Sequence, residues 1–140
     1  MEKWLKRFVV VFILSLLTIA VIYYYIPTDL NITNTNKAII TIESGGSEIQ
    51  MTNEQKQELI GVLQKVEFYR GTSSTRFQSG PSANSVITLT GDYNKSYNFV
   101  HLYILENEPN RSFAQLSTET KYRMKSEDVD KIILFLHAVK

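Results

Sequence analysis

Residues 8–26, FVVVFILSLLTIAVIYYYI, form a run of 19 residues without a charged side chain near the start of the chain. At about 1.5 Å per helical residue, the run reaches roughly 29 Å, close to the ~30 Å thickness of bilayer hydrocarbon. Pro27 ends the helix, because proline lacks an amide hydrogen and disfavours helical geometry at the residue before it. The run therefore predicts a membrane helix followed by a separate domain.

The residues that flank the run predict its orientation. Three basic residues precede it between residues 3 and 7, whereas the first basic residue after it is Lys37. Trp4 lies at one end and the tyrosines 23–25 lie at the other, where aromatic rings with a polar group favour the headgroup zones. Because basic flanks stay on the cytoplasmic side, we expect a single-pass protein of the cell membrane, with its N-terminus cytoplasmic and its C-terminal domain extracellular.

A cleaved secretory signal is the alternative that the same run leaves open. A signal core has about 7–15 apolar residues, followed by small residues around the cleavage site. Here the apolar run is longer, and residues 23–27 (YYYIP) occupy the expected cleavage zone. We therefore predict an uncleaved signal anchor, which contacts the lipid bilayer through residues 8–26.

Charge and cysteine content restrict the function of the remainder. The chain has 15 basic and 14 acidic residues, and leaving out those before the apolar run leaves 12 and 13 from Pro27 onward. The remainder has no basic excess to neutralise phosphates, which argues against a nucleic-acid partner. The chain has no Cys, so disulfides, thiolate metal sites and a lipidated cysteine are excluded. Packing alone must stabilise an exported domain of this composition.

The pattern of the remaining residues predicts one domain. Residues 27–37 (PTDLNITNTNK) are rich in Asn and Thr and are interpreted as a polar tether between an anchor over 1–26 and a domain over 38–140. Thr52 and Gln55 have the spacing of a helix capping box. The predicted elements are strands over 38–43, 48–51, 86–90, 96–105, 111–116 and 121–125, and helices over 53–67 and from Ser126 onward. This order predicts an α+β fold of two layers, in which an antiparallel sheet of about four to six strands packs with two helices.

The strand over 96–105 (SYNFVHLYIL) is apolar on both faces. Because side chains alternate, Val100, Leu102 and Ile104 form one row. The other row is aromatic and contains Tyr97, Phe99, His101 and Tyr103. Either the helices cover the aliphatic row and leave the aromatic row as a binding surface, or the rings form the core. The second arrangement is the default, and both remain open.

The segment over 71–85 (GTSSTRFQSGPSANS) is the longest stretch without a strand or helix pattern. A segment of this length is either disordered or functional. Arg76 and Phe77 are its only large side chains, so they are candidate contacts with a partner, together with the aromatic row.

Catalytic patterns are weak. His101 and His137 are the only histidines, and neither has a second His or a Cys at the spacing of metal ligands. No motif of an activated serine or of a phosphate-binding loop is present. We therefore predict no metal, no cofactor and no enzyme activity. An enzyme would need His101 within hydrogen-bonding reach of a carboxylate.

The layout resembles a family of small membrane-tethered extracytoplasmic proteins of unknown function from Gram-positive bacteria. The resemblance lies in the strand over 39–43, the helix that begins at Thr52, residues 66–71 (VEFYRG) with the Ser/Thr-rich segment that follows, and the hairpin over 86–105. It implies an extracytoplasmic location and no catalytic residues. We predict a non-enzymatic module that binds a protein of the cell envelope; the alternative is a module that binds a small molecule or a cell-wall polymer through its aromatic side chains.

Overall fold

The computed structural model describes residues 1–42, 46–71, 84–94, 97–118 and 120–139. Helix α1 (Glu2–Tyr25) leads the chain and has no buried residue. By length and composition, α1 could cross a membrane, and a signal sequence near the N-terminus would have the same properties. Within the described residues, the apolar run thus forms one helix that no other element covers along most of its length.

In the part of the chain that the structure describes, a seven-stranded antiparallel sheet and two further helices follow α1. Their bounds are β1 (Thr35–Ile42), β2 (Ser47–Gln50), α2 (Asn53–Leu63), β3 (Phe68–Arg70), β4 (Ser85–Asn94), β5 (Tyr97–Ile104), β6 (Phe113–Leu116), β7 (Lys121–Met124) and α3 (Ser126–Val139), with a short 3₁₀ turn (Pro109–Arg111) before β6. The strand order is β2-β1-β4-β5-β6-β7-β3. The α+β class is confirmed, and the strand count exceeds the predicted four to six. The additional strand, β3, has only three residues, too few for an alternating pattern.

Helices α2 and α3 cover one face of the sheet. Leu59 of α2 and Ile132 of α3 are fully buried in the same apolar cluster as the aliphatic row of β5. Leu102 in the centre of that row is paired with Ile87 on one side and Ala114 on the other. These cross-strand neighbours form a continuous aliphatic surface, so the default prediction, with the rings in the core, is wrong. The face covered by the two helices is called the core face below.

The start of α2 is confirmed, but its end differs from the prediction. The backbone amide of Gln55 donates to the hydroxyl of Thr52 at 3.2 Å, and the amide of Thr52 donates to the side chain of Gln55 at 3.0 Å. The helix ends at Leu63 rather than near residue 67. Val66, which lies within the predicted range of the helix, is buried all the same.

Residues 27–37 belong to the domain and do not form a free tether. Leu30 and Ile32 are buried in the core. The amide of Thr28 donates to the carbonyl oxygen of Phe68 at 2.7 Å, and β1 already begins at Thr35. The two apolar side chains in this polar segment therefore secure it, and the domain follows α1 almost immediately.

A β-bulge interrupts the regular alternation of β4. The register with β5 shifts between Thr90 and Asn94, so β4 continues through a segment that the sequence predicts to be a turn. Gly91 is required there, since a Cβ at this position would lie 2.2 Å from the carbonyl oxygen of Asn34. The bulge brings Tyr93 into the core.

Candidate functional site

The face of the sheet opposite α2 and α3 carries the candidate site and is called the open face below. Phe99, His101 and Tyr103 of β5 all lie on it and are half-buried. Phe113 of β6 is paired directly with Tyr103, and directly paired residues project to the same side. Within the described residues, neither α2 nor α3 covers these rings.

The four rings contact one another in sequence. The centroids of Phe99 and His101 are 4.6 Å apart, those of His101 and Tyr103 are 6.0 Å apart, and those of Tyr103 and Phe113 are 4.6 Å apart with an interplanar angle of 15°. These distances are within the range in which aromatic pairs attract one another. Phe99, His101, Tyr103 and Phe113 therefore form one continuous row of rings. From here on, "aromatic row" means these four residues.

His101 is held by one polar contact within the row. Its Nδ1 atom is hydrogen-bonded to the hydroxyl of Thr88, the residue paired with it on β4, at 2.9 Å. Burial lowers the pKa of His101, which favours the neutral ring. Over the described ranges, no carboxylate contacts this ring, and no group of three or more His, Cys, Asp or Glu could hold a metal ion.

One of the described residues that were predicted as contacts, Tyr97, is not in the row. Tyr97 is turned away from it, since its ring stacks on Tyr93 at 5.4 Å and packs against the core. The bulge in β4 explains this difference, because it places Tyr93 beside the start of β5. Burial also raises the pKa of Tyr97. Arg76 and Phe77 lie outside the described residues.

Sequence analysis missed Phe113 and Arg123, which continue the open face toward α1. Arg123 of β7 is paired with both Phe113 and Tyr69. Its guanidinium lies 3.9 Å from the ring centroid of Tyr24 and 5.1 Å from that of Tyr69. It also donates to the carbonyl oxygen of Tyr24 at 2.9 Å. Because successive side chains of β7 alternate between the two faces of the sheet, the sequence could have indicated that Arg123 lies on the face that does not contain Tyr122. The contact of Arg123 with α1 has no signal in the sequence.

A second arginine contacts the end of α1. The guanidinium of Arg70, the last residue of β3, lies 4.1 Å from the ring centroid of Tyr23. The Nε of Arg123 donates to the carbonyl oxygen of Arg70 at 3.5 Å, which links the two strands. Cation–π contacts of this kind are worth about 0.5–1 kcal/mol each at exposed sites. Tyr23, Tyr24, Arg70 and Arg123 are called the helix joint below.

A carboxylate lies near the helix joint but is bound by other groups. Glu67 accepts from Lys125 at 2.7 Å and from the hydroxyl of Tyr69. These two contacts hold the pKa of Glu67 below its usual range. The hydrogen bonds of Lys125 with Glu67 and with Tyr69 raise the pKa of Lys125. Among the described residues, no carboxylate pairs with either arginine of the joint. The joint is therefore a site of uncompensated positive charge in the part of the chain that the structure describes.

Comparison with protein-family models, with curated proteins and with solved structures finds no match for this chain. The resemblance to tethered Gram-positive proteins stays a prediction. Function is therefore inferred from the chemistry and geometry of the open face.

Proposed function

We propose that this protein is a single-pass membrane protein whose extracytoplasmic domain binds a protein partner of the cell envelope, without catalysing a reaction. Residues 8–26 would cross the bilayer as part of α1, and the domain would stand on the outer side. The observation that carries the proposal is the aromatic row of Phe99, His101, Tyr103 and Phe113, half-buried on a sheet face that no described helix covers.

The aromatic row has the properties of an interface anchor. Large rings bury much apolar area on binding, and aromatic residues are enriched at the centre of protein interfaces. The rings already lie against one another on a rigid sheet, with Tyr103 stacked on Phe113 and His101 tied to Thr88. Binding would therefore order few side chains, which reduces its entropic cost.

A protein partner fits the row better than a sugar polymer or another flat ligand. Sugars and flat ligands bind aromatic side chains by stacking on a ring face. The faces of Tyr103 and Phe113 are turned toward each other, with an interplanar angle of 15°. These two ring faces are therefore already covered, whereas the side chains of a protein can also pack against ring edges. Binding of a cell-wall polymer remains the second candidate.

Site-specific photocrosslinking in cells tests the proposed interface. A photoreactive residue in place of His101 would lie in the centre of the row, and one in place of Leu134, which is 71% exposed on α3, would lie on the opposite side of the domain. We expect a partner adduct from position 101 that is absent from position 134. The further substitutions Tyr103→Ala and Phe113→Ala should abolish it, while Asp130→Ala, at an exposed residue of α3, should not.

Two outcomes would contradict the interface. An adduct of equal yield at position 134 would place the partner on the helix layer, and insensitivity to the ring substitutions would remove the row from the interface. An adduct that migrates as a ladder and is lost after digestion of the cell wall would favour the polymer. Protease added to intact cells tests the topology separately, because it should cleave the C-terminal domain only if that domain is outside.

A further inference from the structure

A cleft separates the outer half of α1 from the edge of the domain at β3. Its volume is about 670 Å³, and α1 supplies one wall, which includes Leu16, Leu17 and Ala20. The domain contributes Arg70 and Gly71. Arg70 is the one charged residue among the described residues that line the cleft. The cleft is therefore apolar along its length and cationic on the side of the domain.

We infer that this cleft binds one membrane phospholipid, with its phosphate on Arg70 and an acyl chain along α1. The inference rests on the membrane anchoring included in the proposed function. Along α1, Leu16 and Tyr23 are seven residues apart, which corresponds to roughly 10 Å. Tyrosines favour the headgroup zone, so the leucine wall lies within hydrocarbon. The cleft thus runs from headgroup level down into the bilayer, as a lipid molecule does.

The side chain of Arg70 suits a phosphate at this position. The guanidinium lies 4.1 Å from the ring of Tyr23, which places it at the level of the tyrosines. A guanidinium donates several parallel hydrogen bonds to a phosphate and is less strongly hydrated than an ammonium group. Glu67, the nearby carboxylate, is bound by Lys125 and Tyr69, and no ion pair of Arg70 occurs in the described ranges. A lipid phosphate would supply the missing counter-charge.

Arg123 is a positioning residue in this arrangement. It donates to the carbonyl oxygen of Tyr24 and lies over that ring, but it does not line the cleft. It keeps the end of α1 against the sheet, and so sets the width of the cleft. Its substitution is therefore a control for damage to the helix joint.

Native mass spectrometry of the full chain in a sugar-based detergent tests the site. Phosphatidylglycerol is titrated in, in parallel with diacylglycerol of the same acyl chains and with glycerol phosphate. We expect the protein to retain one phosphatidylglycerol about tenfold more tightly than diacylglycerol, as one charge-assisted contact would provide. Free glycerol phosphate should not displace it, because it lacks the acyl chain.

The substitution Arg70→Gln should remove most of the preference for phosphatidylglycerol and leave diacylglycerol retention unchanged. Lys37→Gln removes the same charge at β1, five strands away from β3, and should leave the retention of both lipids unchanged. Arg123→Gln loosens the cleft, so it should weaken the retention of both lipids by the same factor and leave the preference intact. Equal retention of both lipids by the wild type, or an unchanged preference in Arg70→Gln, would overturn the inference. An equal loss of the preference for phosphatidylglycerol in Arg123→Gln would overturn the assignment of the phosphate to Arg70. None of these results depends on the open face or on the orientation in cells, which the crosslinking and protease experiments examine.

Discussion

The two faces of β5 come from alternate residues of one strand, yet they differ in almost every physical property. Val100, Leu102 and Ile104 on the core face are at most 1% exposed. Phe99 and Tyr103 on the open face are half-buried and contact other rings. A row of side chains therefore becomes core or surface according to its neighbours on adjacent strands and to what covers it, and not according to its hydrophobicity.

The neighbours explain the assignment of each face. On the core face, small and aliphatic residues such as Ala114 flank β5 and leave a smooth surface on which the helices pack. On the open face, Tyr103, Phe113 and Arg123 follow one another across the strands, so that aromatic rings and a charged group lie side by side there. The helices pack on the core face, and within the described residues neither of them covers the open face.

The largest expected effect tests the division directly. Leu102→Ala, in the centre of the core row, should lower the free energy of unfolding by about 3 kcal/mol, since it removes packed atoms and leaves a cavity. Tyr103→Ala, its neighbour on the open face, should cost about 1 kcal/mol, as for most substitutions outside a core. Urea denaturation of the full chain in detergent micelles, followed by tyrosine fluorescence, measures both. Equal losses would show that the two faces are not distinct.

The second effect concerns the bulge in β4, at which successive side chains stop alternating between the two faces of the sheet. Gly91→Ala should lower the free energy of unfolding by about 2 kcal/mol, because the added Cβ would meet the carbonyl oxygen of Asn34. Gly61→Ala in α2 is the matched control, since its Cβ would have no atom within 4 Å. It should raise the stability by about 0.5–1 kcal/mol through helix propensity. The same denaturation measurement applies, and a destabilised Gly61→Ala together with a neutral Gly91→Ala would contradict the close approach of β1 and β4.

The third effect measures the cohesion of the aromatic row. A double-mutant cycle of Tyr103→Ala and Phe113→Ala should yield a coupling energy of about 1 kcal/mol, the usual value for a stacked aromatic pair. Phe99 and Phe113 lie at opposite ends of the row, so the cycle for that pair should be additive within about 0.5 kcal/mol. Coupling of the distant pair but not of the stacked pair would mean that the rings do not pack as described.

The smallest effect is a pH dependence that arises on the open face. Because burial lowers the pKa of His101 in the folded state, the unfolded chain binds the proton more strongly. The stability from this group is therefore present above the unfolded pKa of about 6.5 and decreases as the pH falls toward the folded pKa. Between pH 7.5 and pH 5.5, the free energy of unfolding should therefore fall less in the His101→Gln variant than in the wild type. An identical slope in both proteins would show that this ring titrates normally.

Local signals in the sequence predict much of this fold. The capping box at Thr52 is observed, and the alternation in β5 separates the two rows correctly. Both signals depend on residues within a few positions of one another. The prediction that residues 27–37 form a tether is wrong because the partners of Leu30 and Ile32 are distant in the chain and leave no local pattern.

The candidate site was only partly predictable for the same reason. Phe99, His101 and Tyr103 were expected on one face, and they lie there together. Tyr97 was expected with them but packs beside Tyr93, because a bulge in a different strand decides its surroundings.

By itself, the sequence determined the apolar leading helix, the α+β class and the existence of two unlike rows in β5, since each depends on the spacing of neighbouring residues. Tertiary structure decided which row is buried, that Phe113 extends the aromatic row and that Arg70 and Arg123 meet the tyrosines of α1. Those outcomes depend on strand order and register, which bring together residues up to 99 positions apart. A spacing rule cannot describe contacts between such distant residues, because strand pairing and packing create them only when the chain folds.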